Sequence, residues 1–199
     1  MAVAKTKGTN LIDMVKFLRT RRDEAQALLP RELHPYLDGT LSVAAWYPEA
    51  DMIELVKVLA KLLPGADENA LVQIGRLNAR MHLQGTYAHL LKDARPDVMP
   101  IRTVALWKSM HDTGDFRLAV DGDCAEAVLV DYGHPTPEMC TMLGAYLLQL
   151  FELAGVDDVK VEERACCRLG APACRWHLRW TPREETAGSR AAGDESVLD

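Results

Sequence analysis

The stretch "DFRLAVDGDCAEAVLVDY", residues 115 to 132, decides the fold class of this chain. "DFRLAV" alternates apolar and polar residues, "CAEAVLVDY" runs apolar in short steps, and the intervening "DGD" is a turn signal. Together they read as a β-hairpin. Upstream the pattern is helical. Residues 11–28, "LIDMVKFLRTRRDEAQAL", bring Leu11, Met14, Val15, Leu18, Ala25 and Leu28 near helical spacing, which predicts an amphipathic helix. In "LSVAAWYPEADMIELVKVLAKLLPG" the prediction is a helix begun by Pro48 and ended by Pro64 and Gly65, with Met52, Leu55, Val56, Leu59 and Leu63 as its core stripe. Asp67 reads as the cap of a longer helix reaching about Asp93, on which Leu71, Ile74, Met81 and Ala88 recur. Gly75 and Gly85 interrupt it, which points to close approach of another backbone or a ligand, or to a simple kink. One more helix spans about Asp97 to His111 and ends at Gly114.

Downstream of the hairpin, Thr136 as N-cap and Pro137 at the first helical position start a helix running to about Gly155. "DVKVEERA" and "CRWHLRW" are two further strands. Helices first, then strand, strand, helix, strand, strand predicts an α+β fold, with N-terminal helices packed on a small, mostly antiparallel sheet. A single domain over residues 11–181 is expected, preceded by a flexible segment 1–10. The tail 182–199 is polar and short of large apolar residues, so disorder is expected there.

Composition excludes several functions. With 199 residues and 48% hydrophobic content the chain can bury a sizeable core, yet no apolar run approaches the roughly 18 to 20 residues of a membrane span. The opening "MAVAKTKGTN" has no apolar core followed by a cleavage site, so a cytoplasmic location is expected. Thiols stay reduced there, and the odd count of five cysteines agrees in arguing against a disulfide framework. A net charge of -6 gives no general attraction to nucleic acid, despite the local run "RTRR" at residues 19–22.

Three cysteines fall in "VEERACCRLGAPACRWHLRW", residues 161–180. Period two in "CRWHLRW" sends Cys174, Trp176, Leu178 and Trp180 to one face, toward the core. Cys140 lies in the first turn of its helix, on the face of Leu143, Leu147, Leu150, Phe151 and Ala154, so it too points inward. Cys166 and Cys167 precede the turn "RLGAP", which can return Cys174 alongside them. Three thiols can therefore converge, either as buried structural cysteines or as a metal site. In a straight strand Glu162 shares a face with Cys166 and Glu163 with Cys167, which leaves the choice within each doublet open.

On these residues the chain resembles the 4-vinyl reductase domain family, small-molecule-binding modules whose α/β fold is shared with haem nitric-oxide sensors and vesicle-transport-particle subunits. In the aromatic-sensing regulators of that family a helix cysteine precedes Glu-x-x-Cys-x7-Cys, and the four hold zinc. The positions that match are Cys140, Glu163, Cys166 and Cys174, over a resemblance covering roughly residues 100–180. The helical half and the ending "CRLGAPACRW" also resemble uncharacterised myxobacterial paralogues of the same superfamily. The resemblance implies a structural zinc, closed by four protein ligands, that pins the last hairpin to the helix starting at Thr136. Cys124 stands outside that quartet.

No GxSxG, HExxH, P-loop or dinucleotide GxGxxG is present, which speaks against an enzyme. His82 and His89 share a helical face and could serve a haem or a second metal, although the Tyr-x-Ser-x-Arg signature of the haem sensors is missing. Family members enclose apolar molecules between helices and sheet. Met81, His82, Tyr87, Trp107, Met110, Phe116 and Trp176 are the candidate walls here, with His82 or His111 as polar anchor for an apolar or aromatic small molecule. The function expected is a zinc-stabilised, small-molecule-binding or sensory module acting through a partner protein. The alternative is an interaction scaffold that forms a homodimer through its helices, the N-terminal one above all.

Overall fold

The computed structural model describes residues 3–63 and 69–181. The Pro64–Gly65 stop, the Asp67 cap and the 182–199 tail fall outside them. The N-terminal region expected as a single helix is two. Helix α1 (Ile12–Thr20) buries Met14, Val15 and Leu18, and α2 (Arg22–Leu28) follows a break at Arg21, whose φ of -122° and ψ of 45° leave the helical region. The Arg21 guanidinium is used elsewhere: it donates to the Leu62 carbonyl and to Glu24. It thereby satisfies a carbonyl that a helix end would leave orphaned.

Segment 1–10, expected to be flexible, belongs to the fold from residue 5 onward. Strand β1 (Lys5–Lys7) pairs antiparallel with β2 (Trp46–Pro48), with Thr6 opposite Tyr47. Thr6 is fully buried, and its hydroxyl donates to the Met110 carbonyl at 3.1 Å. A short α3 (Pro35–Asp38) lies between the two strands in sequence, and α4 (Glu49–Leu62) follows β2 directly. The apolar face of α1, expected to be free for dimerisation, packs into the core beside α4.

Helix α5 (Ala70–Gln84) ends before the expected Asp93, because Gly85 leaves helical geometry with φ -112° and ψ -114°. Helix α6 (Met99–Met110) then leads into the hairpin of β3 (Asp115–Asp121) and β4 (Cys124–Val130). Next comes α7 (Pro137–Leu153), whose Thr136 hydroxyl accepts the Met139 N–H at 3.2 Å, as the N-cap reading required. Strands β5 (Asp157–Ala165) and β6 (Cys174–Thr181) complete an antiparallel sheet of order β3-β4-β6-β5. The architecture is α+β, with helices over one face of a small sheet.

Two glycines set how closely the layers approach. A Cβ on Gly75 would stand 2.4 Å from the Met142 carbonyl and 2.9 Å from the Ala145 Cβ, so the backbones of α5 and α7 touch there. Of the alternatives left open by the sequence, close approach of another backbone is the one observed. On the other side of α7, a Cβ on Gly144 would meet the Trp176 indole at 3.2 Å, which is how a tryptophan 1% exposed fits beneath the helix. The alternation expected for β6 holds: Cys174, Trp176, Leu178 and Trp180 are all buried.

Candidate functional site

Where α5, α6 and α7 meet the start of β3, packing is incomplete and leaves a cavity of about 80 Å³. Its walls are chiefly apolar and include Met52, Val56, Leu106, Met142, Leu143 and Phe116. Of the sequence-predicted wall residues, His82, Trp107, Met110 and Phe116 line it. Met81 is instead 39% exposed on the far side of α5, Tyr87 packs against the core beyond the end of that helix, and Trp176 is sealed beneath Gly144. Thr103, Asn78, Asn10 and Tyr146 also line the cavity, although nothing in their spacing marked them out.

The polar groups of this lining divide into committed and uncommitted ones. His82 is committed: its Nδ1 lies 3.5 Å from the Tyr146 hydroxyl and the ring also hydrogen-bonds the Thr9 backbone. Burial, the largest effect on it, lowers its pKa to about 4, so the ring is neutral at pH 7. Burial likewise pushes the Tyr146 phenol well above its ordinary range. Asn10 donates to the Thr6 hydroxyl at 2.6 Å. Thr103, in the middle of α6 and 6% exposed, is uncommitted, since its buried hydroxyl has no hydrogen-bond partner. Such a group is costly to leave alone, about 1–3 kcal/mol, and a native structure keeps one only for a reason.

His111 connects the cavity to a buried polar cluster. Its Nδ1 lies 2.6 Å from Glu49 Oε1, and the Tyr132 hydroxyl donates to Glu49 Oε2. Glu49 is fully buried at the first turn of α4, where a helix N-terminus favours negative charge. Burial first, and the Glu49 charge next, hold the Tyr132 phenol protonated far above its usual range. The two oxygens of the carboxylate are thus engaged from both sides, and Nε2 is the His111 ring nitrogen not facing Glu49. The ring also stacks on Trp107 at 4.0 Å, and the Trp107 indole donates to the Thr113 and Gly114 carbonyls.

The thiols converge as expected, but not with the expected fourth member. The sulfurs of Cys140, Cys166 and Cys174 lie within 4.8 Å of one another, at the junction of α7 with the β5–β6 turn. Cys140 Sγ is 3.5 Å from Cys174 Sγ and 3.8 Å from Cys166 Sγ. The nearest neighbour of Cys174 is Cys167, sulfur to sulfur 3.2 Å. Glu163 is exposed; it lies opposite Trp176 on the edge strand β5 and lines a surface groove with Pro137, Thr141 and Cys166. Its carboxylate is not among the gathered groups, because the register shift between Glu163 and Ala165 separates it from the cysteines that follow. Burial raises the Cys174 thiol to about 11 and the Cys140 thiol further. Cys124 stands apart on β4, its thiol against the Asp121 carbonyl.

These features define a class: an α+β domain whose helices close a small apolar cavity over one face of an antiparallel sheet. Solved structures of similar shape include H-NOX proteins. An H-NOX protein from S. oneidensis in the Fe(II)NO ligation state has a TM-score of 0.63 at 10% identity, covering 88% of this chain and 99% of its own. A mutant H-NOX of T. Tengcongensis gives 0.58 at 17% identity over 87% and 97%. An Fe(II) unliganded H-NOX mutant from K. algicida gives 0.58 at 12% identity over 89% and 98%. At such identities the likeness is one of fold. No family model matches the chain, and no curated protein does.

The likeness overturns the expectation of a structural zinc. The solved neighbours include proteins described by their iron ligation state and by haem distortion. The displaced Glu163 is the local counterpart of that correction. Haem in turn is a poor fit to the residues present. A cavity of about 150 Å³ is what benzene occupies, and this one is smaller. His82 and the Nδ1 of His111, the histidines of the lining, are moreover already engaged by protein partners.

Proposed function

We propose that this chain is a small-molecule-binding sensory module of the H-NOX-like fold, without a catalytic site of its own, acting in the cytoplasm through a protein partner. The observation that carries the reading is the unpartnered, buried Thr103 hydroxyl in the wall of an otherwise apolar cavity. A ligand with a small apolar body and one hydroxyl or amine group satisfies that wall, with the Thr103 hydroxyl as its hydrogen-bond partner and His111 beside it in the lining. The solved neighbours of the same shape include ligand-bound H-NOX states, which supports a binding role. Among the described residues no helix is long and apolar enough to cross a membrane. The net charge of -6 supports a partner other than nucleic acid.

Xenon is the probe for the cavity, read through methionine methyl resonances. Met52, Met110, Met139 and Met142 line the space and should shift under xenon pressure, whereas Met14, in the core beside α4, should not. Thr103→Leu, which fills the space, should abolish those shifts. Equal responses from lining and distant methionines, or none from either, would remove the basis for a ligand site. Native mass spectrometry of freshly purified protein then identifies any retained molecule.

A further inference from the structure

The four clustered cysteines are not used by the ligand-binding reading, and this inference stands apart from it. Cys140 and Cys166 are 4% and 8% exposed, and Cys174 is 2% exposed. Cys167 is the half-buried member, the first residue of the turn Cys167–Leu169, and so the one that a small oxidant reaches from solvent. Its sulfur lies closest to Cys174, at 3.2 Å, and its N–H points at the same sulfur at 3.4 Å. A disulfide needs about 2.05 Å, so a side-chain movement of roughly 1.2 Å closes the gap. The chain between them is able to give: Gly170 has φ +91° with open space around it, and Leu169 is 88% exposed.

We infer that Cys167 and Cys174 form a peroxide-responsive thiol pair, Cys167 being the residue oxidised first and Cys174 the one that resolves it. In the first step the Cys167 sulfur attacks hydrogen peroxide, the O–O bond breaks, and an S–O bond forms with release of water, leaving sulfenic acid. In the second the Cys174 sulfur attacks the Cys167 sulfur, the S–O bond breaks, and the departing hydroxide takes the Cys174 proton as a second water. Two thiols thus lose two electrons to one peroxide, which becomes two waters. Closure draws Cys174 Sγ away from Cys140 Sγ, now 3.5 Å distant in the first turn of α7. That turn also carries Met139 and leads to Met142 and Leu143 in the cavity wall, so the oxidation is transmitted to the helix that bounds the cavity.

Peptide mapping of the full chain tests this. After hydrogen peroxide, remaining thiols are blocked under denaturing conditions and the protein is cut with trypsin without reduction. Cleavage at Arg164, Arg168 and Arg175 separates Ala165–Arg168 from Leu169–Arg175, so the expected disulfide appears as these two peptides linked. Fragmentation, together with Cys166→Ser and Cys167→Ser, assigns the bond: the linked species should persist in the first variant and vanish in the second. Recovery of all thiols unoxidised, a bond from Cys174 to Cys166 or Cys140, or conversion of Cys167 to sulfinic acid without a link would each overturn the pair. The mapping on the unsubstituted protein keeps the test decisive even if a variant fails to fold.

Discussion

Acid is the perturbation for which the structure fixes both a sign and a size. His82 is 6% exposed and its pKa is lowered to about 4 by burial, with the Thr9 backbone and Asp13 opposing. An unfolded chain takes up a proton at this ring near pH 6.5, while the native one stays neutral until about 4. Between those values the unfolded state binds more protons, so the stability owed to the neutral buried ring is complete above pH 6.5 and is lost as the pH falls toward 4. At 1.36 kcal/mol per unit the loss is about 3 kcal/mol. Other groups titrate in the same range, so the measurement is a difference. Urea unfolding is followed from about pH 7 to about pH 4.5 for the native sequence and for His82→Gln, which cannot titrate. Over that pH range the native protein's advantage over the variant should shrink by about 2.4 kcal/mol, most of the full loss. A difference independent of pH would refute the burial of a neutral imidazole at this position.

Glu49→Leu should destabilise the domain by about 2–5 kcal/mol in denaturant unfolding, because it leaves the His111 N–H and the Tyr132 hydroxyl buried without their acceptor. Gly75→Ala drives a methyl to 2.4 Å from the Met142 carbonyl, and the forced separation of α5 from α7 should cost about 1–3 kcal/mol by the same assay. Thr103→Val removes a buried hydroxyl that has no partner, so the ligand-free protein should melt at a higher temperature, a gain of about 1 kcal/mol, while binding of any hydroxylated ligand weakens.

Much of the fold was legible because its signals are local. Alternation in "DFRLAV" and "CRWHLRW", the Thr136–Pro137 start and the stripe of α4 each report the period of one element and the face it buries. The failures are of another kind. Arg21 breaks a helix that periodicity alone would continue, since its side chain caps α4 from 41 residues away. Segment 5–7 carries no strand signature of its own and becomes one only by pairing with residues 46–48.

By itself, then, the sequence determined the element types, their order, the α+β class and the inward direction of Cys140 and Cys174. The tertiary structure alone decided which thiols meet and which carboxylate stands aside, because a one-residue irregularity in β5 redirects every side chain that follows. It also decided the cavity. Thr103 is an unremarkable helix residue until its hydroxyl is found without a partner, and Glu49 and His111 lie 62 residues apart until the start of α4 is brought against the end of α6. Periodicity encodes a residue's face within its own element, whereas a site depends on which faces are brought together, and that is set by the packing of the whole chain.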